Sequence, residues 1–166
     1  MKIFLILCAL FLFSAPSQAS FTLSSTVFYN NTPIPLKYSG KGQDLSPPLA
    51  WQNSPSGTKS YALICDDPDA PSGTWSHWVF YNIPSSVKNI AEGKTPKGAT
   101  LGKNSWDKTS YNGPTPPSGT HHYHFTLYAL DTLLILTNSL TSDQLQHAMS
   151  GHILDKATLV GTFKKQ

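Results

Sequence analysis

The 166-residue chain contains no arginine: all 12 of its Lys+Arg positions are lysine, and Glu92 is its only glutamate. Charged residues make up 13% of it, against roughly a quarter in an ordinary globular domain. Without the planar guanidinium fork nothing reads guanine edges or clamps phosphates bidentately, which excludes a nucleic-acid binder. So little Glu, Lys and Arg also excludes a long coiled coil or helical bundle. Cysteine is scarce as well, with only Cys8 and Cys65. What the chain does have is 13 Pro, 11 Gly and 11% aromatic residues. That content is too apolar for disorder and is expected of one compact domain rich in strands and turns.

Lys2 is followed by an apolar run from Ile3 to Phe13 and then by Ser14–Ala19, ending Ser17-Gln18-Ala19. One positive charge, a short apolar core and a Ser-x-Ala ending fit a secretory signal peptide over residues 1–19, cleaved after Ala19. A membrane span needs about 20 apolar residues, so the run is too short for an anchor. Cys8 has Leu7 before it rather than the small residues that precede a lipidated cysteine. The expected product is a secreted or periplasmic domain over residues 20–166, with no transmembrane segment and a net charge near +2 once Lys2 is removed. Its single cysteine, Cys65, closes no internal disulfide and reads as a buried strand residue.

Turn clusters such as Asn30–Pro33, Ser54–Gly57 and Pro114–Gly119 separate strand-like runs at Phe21–Phe28, Tyr61–Cys65, Trp78–Ile83, Tyr123–Leu130 and Ala157–Phe163. Residues 85–113 read as an irregular excursion. One helix is predicted. Thr141–Gln144 is a capping box, and Leu145, Ala148, Met149, His152 and Ile153 follow in a helical stripe, with His152 in the core and His147 on the polar side. Many strands followed by a late helix predict a mostly antiparallel β domain.

Two segments carry chemistry. Asp66–Trp78 holds three carboxylates within four residues, Asp66, Asp67 and Asp69, between two predicted strands. Pro68 and Pro71 stiffen this loop, and either is a candidate for a cis peptide. Asx-type turns account for Asp66 and Asp69, whereas Asp67 with His77 reads as functional. In Tyr111–Phe125, strand alternation places His121, Tyr123 and Phe125 on one face and His122 and His124 on the other. His121 stands where a Gly/Pro-rich loop enters its strand, a position suited to ligand contact.

Asp67–Pro71 with His77-Trp78, followed by Gly119–His121 and Tyr123, resembles the paired signature of the phosphatidylethanolamine-binding protein family, and within it the bacterial and archaeal Raf-kinase-inhibitor-like branch. Asp44–Trp51, Tyr81–Pro84, Asn104–Trp106, Gly113–Pro117, Gly151–Leu154 and Gly161–Phe163 extend the resemblance over the whole mature chain. It implies a large central antiparallel sheet, a smaller second sheet, one or two flanking helices and an anion pocket at one sheet end. It places Asp67, His77 and His121 in that pocket, Pro68, Gly113 and Pro114 in its wall, and Trp75 near its rim. Three departures stand out: His122 replaces a frequent basic residue, Thr115 a frequent cysteine, and the chain stops soon after Phe163, so the C-terminal helix of eukaryotic members is expected to be missing.

Two imidazoles beside one carboxylate suit a small phosphate- or carboxylate-bearing ligand, including a phospholipid head group, whose ammonium Asp67 would accept. Two alternatives stay open. A hydrolase or metal-assisted enzyme would use the same three residues, although no Gly-x-Ser-x-Gly elbow and no His-x-x-x-His helix is present. A protein-interaction or inhibitor module is the other. No catalytic residue, cofactor or resident metal is assigned.

Overall fold

The computed structural model describes residues 19–135 and 139–166. The expected signal peptide falls on residues 1–18, outside the described residues, apart from Ala19. In chain order the strands are β1 (Thr22–Ser24), β2 (Thr32–Pro33), β3 (Leu49–Gln52), β4 (Ser60–Asp67), β5 (Trp75–Pro84), β6 (Asn89–Ile90), β7 (Thr100–Leu101), β8 (Thr120–Leu130) and β9 (Ile153–Lys164). A 3-10 turn, Leu36–Tyr38, follows β2, and α1 (Ser142–Ala148) lies between β8 and β9.

Strands β1, β3 and β6 form a small antiparallel sheet, and the large sheet has the order β2-β9-β8-β4-β5-β7. The fold is mostly β, as expected, but the large sheet is mixed rather than purely antiparallel. Its edge strand β2 runs parallel to β9, with Thr32 opposite Gly161. This follows from the chain crossing from the small sheet to the far edge of the large one instead of returning by a hairpin.

Strand β4 is central and buried almost throughout, because both faces of the sheet are covered. On one face Tyr61, Leu63 and Cys65 join Trp78, Phe80, Phe125 and the small sheet's Leu23 and Trp51. On the other, Ala62 and Ile64 join Val79, Tyr81, Leu145 of α1 and its C-cap Met149. Cys65 is buried as expected, and burial raises its thiol pKa well above the ordinary value, which makes it unreactive.

Several expectations are corrected. The predicted strand Phe21–Phe28 is ordered as strand only at Thr22–Ser24. Beyond it the Ser25 hydroxyl donates to Pro48 O (2.7 Å) and accepts from the Val27 amide (3.3 Å), competing with a ladder. The Thr141–Gln144 capping box is present, but α1 stops at Ala148 instead of continuing to Ile153. Gly151 turns the chain at φ +80°, a conformation glycine adopts without a Cβ penalty, and Ile153 already pairs with Leu130 in the sheet. His152 is therefore outside the core, exposed, with Nδ1 2.9 Å from Asp131 Oδ1. No peptide bond is cis among the described residues, so neither Pro68 nor Pro71 takes that form. Residues 85–113 are irregular apart from the two-residue strands β6 and β7. No helix among the described residues is long and apolar enough to cross a membrane.

Candidate functional site

The site grows from an interruption in the β4–β5 pairing. Cys65 lies opposite Trp78, but the next pairs are Asp66 with Ser76 and Asp67 with Trp75. His77 is the extra residue of a β-bulge. Strict alternation after Trp78 would send it to the face of Val79 and Tyr81; the bulge returns it to the face of Asp67. Strand β8 needs no such device. Its register with β4 is regular, Cys65 opposite Phe125 and Asp66 opposite His124, so alternation puts His121 and Tyr123 on the Asp67 face.

Asp67, His77 and His121 are 3%, 3% and 6% exposed. His121 Nδ1 lies 2.7 Å from Asp67 Oδ2 and donates to it. The other oxygen, Asp67 Oδ1, accepts the Asp69 amide at 2.9 Å, closing an Asx-type turn that fixes the carboxylate. His77 takes a different partner: its Nδ1 donates to Asn112 O at 2.6 Å. A carbonyl only accepts, so this bond assigns the His77 proton to Nδ1 and leaves Nε2 for a ligand. Burial pushes the His77 pKa below its ordinary value, against the pull of the Asn112 carbonyl and the Asp67 charge.

These groups meet a cavity of about 180 Å³ lined by Asp67, His77, Tyr123, Trp75, Trp106 and Thr115, with Pro71 and Pro117 at its margins. Trp106 stands edge-on to both Trp75 (centroids 5.4 Å) and His77 (5.0 Å), and His77 is edge-on to Tyr123 (5.1 Å). Tyr123 Oη is buried and makes no well-formed hydrogen bond, although the Asp67 carboxylate and the Thr115 backbone lie near it. Burial, with the neighbouring Asp67 charge, drives its pKa far up, so it remains a neutral O–H donor.

The expected residues thus fall into different positions. Asp67, His77 and Trp75 line the cavity, while His121 backs Asp67. Pro68 is an exposed turn residue beside them. Gly113 and Pro114 stand behind the wall: the Gly113 amide donates to Asp44 Oδ1 (2.6 Å), and Pro114 O accepts the Gly40 amide (3.2 Å). Together they anchor the loop that presents Thr115 and Pro117. The Asx-type turn expected at Asp66 and Asp69 falls instead on Asp67. Asp69 has a structural role of another kind, its Oδ2 accepting the distant His122 amide and meeting His122 Nδ1 at 2.7 Å. That bonding holds its pKa below the usual range.

Sequence reasoning left Trp106, Tyr123 and Asn104 as motif matches without a role. Asn104 is 4% exposed. Its Nδ2 donates to Asn112 Oδ1 (2.8 Å) and Ser110 O (2.9 Å), and its Oδ1 accepts the Trp106 and Lys108 amides (3.0 and 3.1 Å). It is the hub that fixes both Trp106 and the Asn112 carbonyl under His77. An amide flanked by a turn (Ser105–Lys108) is the available signal, since only Asn or Gln offers both donors and an acceptor there. A shared metal does not fit the geometry: among the described residues no group of three His, Cys, Asp or Glu side chains is placed to hold one ion.

A mixed β-sheet with a small polar-aromatic pocket at one sheet end defines a ligand-binding β protein. The sequence pattern of the phosphatidylethanolamine-binding protein family matches residues 24–164, and the chain belongs to that family. It is 43% identical over 148 residues to a UPF0098 protein of Methanothermobacter thermautotrophicus, covering 86% of this chain and 98% of that one. A crystal structure of a phosphatidylethanolamine-binding protein homolog from Chlamydia trachomatis is 41% identical, with a TM-score of 0.85 over 90% of this chain and 100% of that chain. Escherichia coli YbcL, described as a member of the mammalian family, is 28% identical with a TM-score of 0.84, over 89% of this chain and 100% of its own.

Proposed function

We propose that the pocket beside Asp67 and His77 binds a small phosphate- or carboxylate-bearing ligand, such as a phospholipid head group, rather than carrying out catalysis. The observation that carries this reading is the division of labour between the two imidazoles. His121 Nδ1 is committed to Asp67 and His77 Nδ1 to Asn112, so His77 meets a ligand through Nε2. An anion that brings a proton with it converts Nε2 into a charged N–H donor, and the neutral Tyr123 hydroxyl adds a second donor. A ligand ammonium or hydroxyl would instead be accepted by Asp67. A cavity of about 180 Å³ suits a head group and leaves no room for acyl chains.

The Asp67–Pro71, His77-Trp78 and Gly119–His121 motifs support a place in the Raf-kinase-inhibitor-like branch of the family. The sequence of residues 1–19 supports export to the periplasm or outside the cell, and among the described residues the first buried core residue is Phe21. Phosphate titration followed by NMR of the His77 and His121 imidazoles tests the binding reading: both sets of resonances move, and the absence of any shift at saturating phosphate overturns it. The mass of the mature protein recovered from its native host tests export, with loss of residues 1–19 as the expected result.

A further inference from the structure

The bulge that turns His77 toward Asp67 leaves Asp66 and Ser76 paired on the opposite face of the sheet. There they line a second cavity of about 250 Å³, bounded by Thr141 and the first turn of α1 and by the loop after β7. Hydroxyl groups from Thr74, Ser105, Thr141 and Ser142 surround it, and Asp143 supplies a second carboxylate. No aromatic side chain is among its lining residues, so it offers no stacking surface for a base or a sugar ring.

Two of its polar atoms need a partner. Ser76 is 6% exposed, and its Oγ and Asp66 Oδ1 are both buried without a well-formed hydrogen bond, the Ser76 hydroxyl lying close enough to Asp66 to favour its carboxylate but out of good alignment with it. The other Asp66 oxygen has only a long contact from the Ser142 hydroxyl, 3.4 Å. Buried polar atoms left unpaired cost about 1–3 kcal/mol each, so such a pair marks a place where a ligand atom gains bonds that the protein lacks. The only lysine on the lining, Lys103, has its Nζ on Asp107 at 2.7 Å. The local charge is therefore set by Asp66 and Asp143.

We propose that this cavity is a second binding site, selective for a small organic cation bearing a primary ammonium, which would donate to Asp66 and Ser76 while the rim hydroxyls accept or donate to the rest of the molecule. The sign follows from two carboxylates with no free cation between them, and the size from a volume well beyond that of a single ion. Burial lifts the Asp66 pKa to about 6, with the nearby Ser76 and Ser142 hydroxyls opposing and Asp143 adding to the rise. At neutral pH the carboxylate is ionised and only weakly compensated by these hydroxyls, which an ammonium would correct. This site uses the other face of β4 and β5 from the Asp67 pocket, with Asn104 standing between the two.

The test is an NMR titration of the intact domain with propylammonium, with propanol and propionate as uncharged and anionic controls and calcium as a bare-ion control. The Ser76, Ser142 and Asp143 amides are expected to shift with propylammonium alone, and Asp66→Asn is expected to weaken the effect by more than about tenfold. Ser76→Ala, which keeps the charge, gives a smaller loss and guards against a folding defect in the first variant. No shift with propylammonium, equal shifts with propanol, undiminished binding by Asp66→Asn, or displacement by calcium at lower concentration each overturns the proposal.

Discussion

Asp66 and Asp67 are consecutive in β4 and line different cavities on opposite faces of the same sheet. Asp67 is held by the His121 imidazole and the Asp69 amide. Asp66 has only weak hydroxyl contacts, a long one from Ser142 and a poorly aligned one from Ser76. Two identical side chains one residue apart thus have opposite energetic signs, and stability measurements separate them.

Asp66 lowers stability at neutral pH. Its folded pKa of about 6 stands above the ordinary 3.8, so between those values the folded state binds more protons than the unfolded one. Stability therefore falls as pH rises through that window, and the loss is complete above about pH 6. Asp66→Asn is expected to stabilise the protein by about 2–3 kcal/mol near pH 8 and to give no gain near pH 4. Denaturant unfolding at the two pH values checks this, and a gain independent of pH would assign the effect to packing instead.

The Asp67–His121 pair behaves in the opposite way. Both side chains are buried, and the bond is short and charge-assisted, so removing either leaves the other without its partner. A double-mutant cycle of Asp67→Ala and His121→Ala is expected to return a coupling of about 1–3 kcal/mol. If the single losses add to the double loss, the two residues do not depend on one another.

In the proposed pocket, His77 is expected to make anion binding proton-linked. Burial lowers its pKa below 6.5 in the free protein, so near neutral pH Nε2 is an acceptor and repels an anion's lone pairs. Sulfate, whose charge is fixed across this range, is expected to bind more tightly as pH falls from about 8 to 5, with a proton taken up on binding. Calorimetry in buffers of different ionisation enthalpy measures that uptake, and His77→Gln is expected to abolish it. The same pKa shift affects stability: a histidine buried neutral favours the folded state above its unfolded pKa, and that contribution is lost as pH falls through 6.5 toward the folded value.

The long strands β4, β5, β8 and β9, their turns and the capping box of α1 were legible because alternation, Pro/Gly clusters and Thr141 with Gln144 are local signals, whereas the short strands β2, β3, β6 and β7 were not. The role of His77 as an extra residue was not, since a one-residue slip in the β4–β5 register leaves no mark in composition. It also hid the second cavity, because Asp66 and Ser76 are ten positions apart and meet only through that register. The helix was overextended for a related reason: Ile153 continues the helical stripe of Leu145 and Met149, and the Gly151 turn together with the demand of Leu130 for a strand partner decides against it. His152 followed the same stripe and was misplaced with it.

Gly113 is where backbone packing and the pocket wall meet. A Cβ built there would lie 2.3 Å from Tyr38 O and 2.8 Å from the Ser39 backbone, and none of these atoms belongs to a flexible side chain that could yield. The clash must therefore move the Gly113 segment away from the Tyr38–Ser39 strand of chain. That segment's amide is held by Asp44, and the adjacent Asn112 carbonyl receives the His77 proton. Gly113→Ala is expected to cost about 1–3 kcal/mol as an overpacking substitution, and also to lengthen the His77–Asn112 bond. The second effect distinguishes this site from an ordinary core defect. In the folded variant at low denaturant, the His77 Nδ1 proton should exchange faster and the imidazole should titrate differently from wild type. If Gly113→Ala loses stability while the His77 titration stays unchanged, Gly113 packs the fold without positioning the pocket.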